Sequence, residues 1–444
     1  MATVYYAKVI VTHGTFEDYR RQLLALAGPG IDVGVLQVGV HEALVRPHLL
    51  RHLRSKNPGL TLDELLRHAG ANRIDWVKQS DVHTLYLQRI EEDLDPKADI
   101  PAPDALGGRS WHHQATDVAA AWAAVGGPDA IDWQGVRVGQ LDTGYTRHKA
   151  WGHGEPGGTW VDEGQCRTFM SDLLPPGWLP PAAAGVVPGV DTMPFGGLFQ
   201  GHGTRIGTTI SGHLVVDGND TFRGVAPWVP HVVVRITDSV GINDRQQEFA
   251  DGLRYLVDVA QVDVVNVSLG VFPPVVAPAM RQALAHARAR GVIVVCAAGN
   301  HVDPVVPPAS LPETIAVAAT TWQNLPWHGS SFGPEVDFCA PGAVITKAVA
   351  VRNGLGTDIR GTGNGTSYAA AITSGAAALW LRRWGPQIQA QYGRTPQRVE
   401  AFRRAAVASC YPPPAGWKPA PFGAGILNIG RLCTNPALAL PAMV

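Results

Sequence analysis

The sequence predicts a doubly wound α/β fold, a mostly parallel sheet with helices on both faces, preceded by a small α+β domain. Three observations predict it. Short apolar runs recur at 136–141, 231–236, 262–267, 292–297 and 314–319. Helical patterns fall among and after them, at 204–211, 245–260, 277–290, 367–384 and 396–408. Apolar strands alternating with helices imply a parallel sheet covered on both sides, with ligands at the carboxyl ends of its strands. Residues 1–105 lack that alternation and end in a polar, Pro-rich link at 95–108, a stretch that tolerates a boundary or a cleavage.

In chain order, 4–12 alternates loosely and reads as a strand. Thr15 caps a helix over 16–27, with Phe16, Tyr19, Leu23 and Leu24 on one side. Residues 31–40 read as a strand. Residues 47–70 read as one helix, with the capping box Thr61-Leu-Asp-Glu64 inside it. Residues 76–90 read as extended and lead into the acidic run Arg89-Ile-Glu-Glu-Asp93. A short helix is expected at 117–125. The doubly wound region occupies 109–435. Gly, Pro and Trp dominate from about 150 to 200, which reads as an insertion over the surface, beside the cleft.

With 444 residues, 45% of them apolar, the chain can bury a sizeable core. A net charge of −1 gives no bulk field toward nucleic acid or an anionic membrane. The five cysteines, Cys166, Cys296, Cys339, Cys410 and Cys433, are widely spaced and form no CxxC, so neither zinc nor a disulfide framework is expected. Cys296 and Cys339 lie in apolar runs and read as core residues. The first residues lack the basic start and apolar stretch of an export signal, and no run is long enough to span a membrane; a cytoplasmic location is expected.

Four segments carry chemistry. Val138-Gly-Gln-Leu-Asp-Thr-Gly144 is a buried strand ending in an acid, Asp142. Gly201-His-Gly-Thr-Arg-Ile-Gly-Thr208 puts His202 at a glycine-flanked helix start. Thr362-Gly-Asn-Gly-Thr-Ser367 is a glycine-rich loop that turns into helix at Ser367. Val294-Val-Cys-Ala-Ala-Gly-Asn300 is a strand ending in an amide. Singly, each has a plain structural explanation: turn residues, a surface cap, an N-cap serine. Together they supply an acid, a base, a nucleophile and an oxyanion donor at the edge of one sheet. Serine needs a base to take its proton, histidine suits that task near neutral pH, and a carboxylate fixes the imidazole tautomer. The first-turn N–H groups at Ser367 and the amide of Asn300 favour a developing oxyanion.

On these residues the chain resembles the subtilisin family (subtilases) of serine endopeptidases. The resemblance rests on Leu-Asp-Thr-Gly (141–144), Gly-His-Gly-Thr (201–204), Gly-Val-Ala-Pro (224–227), Asp-Val-Val-Asn-Val-Ser-Leu-Gly (263–270), Ala-Ala-Gly-Asn (297–300), Phe-Cys-Ala-Pro-Gly (338–342), Gly-Thr-Ser (365–367) and Gly-Ala-Gly-Ile-Leu-Asn (423–428). These stand in family order across residues 115–430. The resemblance implies Asp142 as orienting acid, His202 as general base, Ser367 as nucleophile and Asn300 sharing the oxyanion hole with the Ser367 N–H. It implies that Ser268, Leu269 and Gly270 pair with an extended peptide and wall its pocket on one side, with Ala297, Ala298 and Gly299 on the other. The implied partner is a peptide or protein substrate.

The sequence departs from the family pattern in places. Tyr368 stands where Met is frequent, which implies a narrower leaving-group side. Ala371 stands where Pro is usual. Val271-Phe-Pro-Pro274 replaces further glycine, which implies a narrower cleft. No cofactor is implied for catalysis. A structural calcium loop often precedes Gly-Val-Ala-Pro in the family; here Val216-Asp-Gly-Asn-Asp220 offers oxygen ligands without the usual pattern. The first unit has two readings: a propeptide-like chaperone and inhibitor, cleaved between 95 and 111, or a lasting accessory domain. The whole chain likewise has two, an active endopeptidase, with a partner-dedicated processing enzyme as one form of it, or a catalytically silent peptide-binding scaffold on the same fold.

Overall fold

Five strands of the main sheet are apolar on both faces because both faces are covered. In the computed structural model, Val264 and Val265, Val294 and Val295, and Val317 and Ala318 alternate between two separate buried clusters, one per face. The structure describes residues 5–12, 16–27, 35–39, 42–45, 47–78, 102–170, 189–191, 199–218, 220–272, 274–351, 354–412 and 419–441. The chain divides into two compact units, Met1–Asp93 and Leu94–Val444.

The first unit is α+β. Its described elements are β1 (Tyr5–Ile10), α1 (Phe16–Ala27), β2 (Val35–Gly39), β3 (Glu42–Val45), α2 (Pro47–Lys56), α3 (Leu62–His68) and β4 (Arg73–Lys78). The strands form an antiparallel sheet ordered β2-β3-β1-β4. Val9, Val45, Tyr19, Leu23, Leu49, Leu53, Leu65 and Leu66 share its core. The single helix expected over 47–70 is two. Asn57-Pro58-Gly59 breaks it, since proline and glycine are poor helix formers, and the Thr61/Glu64 capping box starts α3 rather than sitting inside a helix. The strand β3 was missed because its run is only four residues long. The expected extension to residue 90 and the acidic run at 89–93 lie outside the described residues.

The second unit carries α4 (Trp111–Ala115), α5 (Val118–Ala124), β5 (Val138–Asp142), β6 (Arg167–Thr168), α6 (His202–Ser211), β7 (Val215–Asp217), β8 (Asp220–Phe222), β9 (His231–Arg235), α7 (Gln246–Asp258), β10 (Val264–Val267), α8 (Pro278–Ala289), β11 (Ile293–Ala297), β12 (Ile315–Thr320), β13 (Phe338–Pro341), α9 (Thr366–Gln391) and α10 (Pro396–Ser409). The main sheet is parallel throughout, in the order β13-β12-β11-β10-β5-β9-β6. Helices α6 and α9 cover one face; α7 and α8 cover the other. The strand order reverses between β5 and β10, so the helices that follow them, α6 and α8, lie on opposite faces, and a crevice is expected outside the carboxyl ends there.

The unit boundary falls at Asp93/Leu94. Ala102 is buried in the main core, while Pro103, Asp104, Ala105 and Gly107 are exposed. Two sequence expectations change. Helix α9 continues past Pro386 to Gln391: one rung is lost, but Trp384 and Ile388, both buried, hold the extension on one face. The described part of the 150–200 insertion is not wholly irregular, since β6 adds an edge strand to the sheet beside β9. All five cysteines are buried and free, and burial pushes the Cys166 and Cys410 thiols up to about 12. Among the described residues no helix is long and apolar enough to cross a membrane.

Candidate active site

β5 ends on Asp142, whose carboxylate is fully buried and takes three donors. The Thr143 N–H and His202 Nδ1 each lie 2.7 Å from Oδ1, and Gln140 Nε2 donates to Oδ2 at 3.1 Å. His202 reaches it because α6 starts hard against the β5 loop. A Cβ at Gly203 would overlap the carbonyl oxygen of Gly144, so only glycine permits that approach. The helix start is clamped from the insertion. Asp191 accepts from Thr143 Oγ1 at 2.7 Å and from the Gly201 N–H at 2.9 Å, and Thr143 Oγ1 accepts from the Gly203 N–H. Phe199 sets its ring edge-on to His202, centroids 6.5 Å apart. His202 is 4% exposed.

The other imidazole nitrogen, Nε2, lies 3.4 Å from Ser367 Oγ. Ser367 is the second residue of α9 and is 8% exposed. Among the described residues its N–H has no backbone acceptor, as expected for a first-turn amide. The N–H of the preceding Thr366 donates to Asn300 Oδ1 at 2.9 Å, and its hydroxyl does so at 2.8 Å. Two donors on Oδ1 fix the amide so that Nδ2 faces Gly365, where a Cβ would stand 3.2 Å from it. Gly365 has φ +153°, a conformation that L side chains rarely adopt. The structure therefore brings Asp142, His202, Ser367 and Asn300 to one place.

The six expected wall residues lie beside α9. Ser268 turns its hydroxyl to the Ser367 carbonyl at 3.2 Å and accepts from Asn266 Nδ2, while Asn266 Oδ1 accepts from Ser374 Oγ at 3.1 Å. This chain of bonds ties β10 to the first three turns of α9. Leu269 is buried. Gly270 is engaged within the chain: its N–H donates to Val240 at 2.8 Å and its carbonyl accepts from Ile242 at 2.9 Å. On the other side Ala297 ends β11, the Ala298 N–H donates to Val317, and the Gly299 N–H donates to Thr366 Oγ1 at 3.2 Å.

The described part of Val271-Phe-Pro-Pro274 is tied to its neighbours. The Val271 N–H donates to Pro307 and the Phe272 N–H to Asn243 Oδ1. Tyr368 is buried, and its ring lies against Gly363. In the stretch at 216–220, Asp217 pairs with Arg360 and Asp220 with Arg109, and among the described residues no group of three His, Cys, Asp or Glu side chains converges. Sequence reasoning missed Gln140, Thr143, Asp191 and Thr366. Thr143 and Thr366 flank the reactive residues in the quoted motifs, which was their only signal. Asp191 sits in a stretch without a pattern, Pro188-Gly-Val-Asp191, and had none.

Comparison with known proteins gives the family of the chain. A model described as the Subtilase family matches residues 190–395. The chain is 32% identical over 187 residues to the major intracellular serine protease of Bacillus subtilis, covering 41% of this chain and 55% of that protein. It is 30% identical over 233 residues to a subtilisin of Bacillus pumilus, covering 51% of this chain and 75% of that one. The chain spans about half the length of several curated relatives it matches. The crystal structure of MycP1 with its N-terminal propeptide removed superposes with a TM-score of 0.51 at 22% identity, covering 75% of this chain and 97% of that one, a likeness of fold alone. With eight motifs in register on a parallel sheet of this order, and a relative matched over three quarters of its length, the chain belongs to the subtilase family.

Proposed function

We propose that the second unit is a serine endopeptidase that hydrolyses peptide bonds through an acyl-enzyme. The reading rests on one observation, the unbroken sequence of contacts Asp142 Oδ1–His202 Nδ1 and His202 Nε2–Ser367 Oγ. His202 Nε2 takes the hydroxyl proton as Ser367 Oγ bonds to the scissile carbonyl carbon. Asp142 holds the imidazole in the tautomer that leaves Nε2 able to accept, and stabilises the imidazolium. The Ser367 N–H and Asn300 Nδ2 donate to the carbonyl oxygen as it becomes negative. The C–N bond then breaks, and His202 returns the proton to the leaving amine. Water, deprotonated by the same nitrogen, hydrolyses the acyl ester. The 3.4 Å separation is long for a hydrogen bond, as is common in triads without substrate. A Ser367→Ala variant that still hydrolyses casein or short peptides would refute the assignment.

Peptide would bind extended along 268–270. Since Gly270 spends both backbone groups on 240–242, binding there displaces that pairing or uses the neighbouring residues. Such a guarded edge suits a dedicated processing enzyme, which would cleave its partner and leave casein largely intact. The first unit is read as an intramolecular inhibitor and folding chaperone, released by cleavage before the buried Ala102. Intact mass of wild type beside Ser367→Ala tests this: the wild type loses the first unit and the variant keeps it. If both stay whole, the unit is either a lasting domain or an inhibitor awaiting another trigger. Five buried, unpaired cysteines support a reducing compartment, the cytoplasm, which fractionation of the source cells tests.

A further inference from the structure

Two glycines end the expected pocket walls, Gly270 after β10 and Gly299 after β11. Each wall touches the first turn of α9, one through Ser268 to the Ser367 carbonyl and the other through Gly299 to Thr366 Oγ1. The slot between them therefore opens beside the nucleophile. Val306 already stands in it, beside the Ser331 hydroxyl, which lies 2.7 Å from a Cβ built at Gly299. A Cβ built at Gly270 would lie 2.7 Å from Val306 Cγ2, and one built at Gly299 would lie 3.0 Å from that same atom and 3.2 Å from Cγ1. The two glycine faces are thus bridged by one side chain.

Val306 is held there from both sides. Its N–H donates to the Ala298 carbonyl at 2.9 Å, and the carbonyl of Pro307 accepts from the Val271 N–H at 2.8 Å. Val306 and Pro307 thus lace the two walls together. Valine is stiff at χ1, and Val306 is 5% exposed, so it has little room to rotate away. Overpacking a filled site displaces side chains and backbone at a cost, so a ring or long chain does not share the slot with Val306.

We infer that Val306 closes the slot to large side chains and makes the enzyme selective for substrates with a small residue, alanine, serine or glycine, immediately before the scissile bond. The inference rests on the peptidase reading above. A methyl or hydroxymethyl group stays at the mouth, above Val306 Cγ2. A benzyl, isobutyl or lysyl side chain must penetrate the space that Val306 fills.

The test is a series of tetrapeptide anilides that differ only in that residue, with the full chain as enzyme. The alanine peptide is expected to exceed the phenylalanine peptide in kcat/KM by about tenfold or more, the scale on which apolar pockets discriminate by size. Val306→Gly and the milder Val306→Ala empty the slot and shift the ratio toward phenylalanine by about tenfold or more, with the larger change in glycine. A fluorophosphonate, which carries no side chain for this slot, reports separately on Ser367. A labelled protein that cleaves the phenylalanine peptide as well as the alanine one, or none of the series, overturns the inference and leaves the serine-hydrolase reading standing. So do labelled Val306 variants with an unchanged ratio. A wild type that takes no label overturns both.

Discussion

His202 Nδ1 lies 2.7 Å from Asp142 Oδ1, and both groups are almost wholly out of water. The carboxylate is already bonded to Gln140 Nε2 and the Thr143 N–H, so it cannot turn away from the imidazole without stranding a buried donor. The tautomer of His202 is thereby set by residues on β5, before any substrate arrives. Asp142→Asn puts an amide where three donors converge and presents the wrong partner to Nδ1. It should lower kcat by about 10⁴-fold, the loss seen when a triad acid becomes an amide, with little change in stability. Steady-state kinetics beside thermal melting checks this. A rate within tenfold of wild type would mean that Asp142 does not orient the base.

Asn300 is held by Thr366 through both donors on Oδ1. Asn300→Ala should lower kcat by about 10²–10³-fold, the loss that removal of the corresponding oxyanion donor causes in a subtilisin, and leave KM nearly unchanged. Thr366→Val removes one of the two bonds to Oδ1 and should give a smaller loss in the same parameter. An effect of either variant on KM alone would assign Asn300 to ground-state binding.

Stability should fall in acid. Burial holds His113 and His148 down to about 4 and His231 down to about 3, below the ordinary value near 6.5. Between about pH 6.5 and 3 the unfolded chain takes up protons that these folded side chains refuse. Their contribution is therefore complete above about 6.5 and is lost progressively as pH falls. Glu163, brought down to about 2 chiefly by its hydrogen bond to His153, acts in the same direction at lower pH. Melting temperature measured from pH 8 to 4 should be flat, then decline. His231→Phe should flatten the decline by up to about 1.4 kcal/mol per pH unit, the effect of one proton. A profile that rises toward acid would contradict the burial of neutral histidines.

Asp263 anchors a charge cluster away from the candidate site. Its Oδ1 takes Arg394 Nη1 and Arg398 Nη1, each at 3.0 Å, and its Oδ2 takes the Arg137 N–H. Asp263→Ala leaves the buried Arg398 guanidinium without its carboxylate and should cost about 3–5 kcal/mol. Adding Arg398→Met should recover part of that loss, because an apolar side chain carries no stranded charge. Urea midpoints of the two variants decide it; a double variant no more stable than the single one would contradict the account.

The fold was legible because β5, β9, β10, β11 and β12 are short, mainly apolar runs, and such runs arise where both faces are covered. Strands β6 and β13 were not, since two and four residues carry no periodicity. The residues at the candidate site were legible for a different reason: Asp142, His202, Asn300 and Ser367 each sit in a short glycine-bearing stretch at a strand end or helix start. Their supports were not. Asp191 braces the start of α6 from a stretch with no pattern, and the role of Ser268 depends on where α9 begins. Val306 looked like one more core valine, and only the closeness of Gly270 and Gly299 in space sets it apart.

The most direct test of the central claim is covalent. Wild-type protein treated with a fluorophosphonate should gain one adduct, which peptide mass spectrometry locates on Ser367, and His202→Ala should react far more slowly because the hydroxyl keeps its proton. Absence of the adduct from Ser367 in folded protein, or equal labelling with and without His202, would contradict an activated serine at this site.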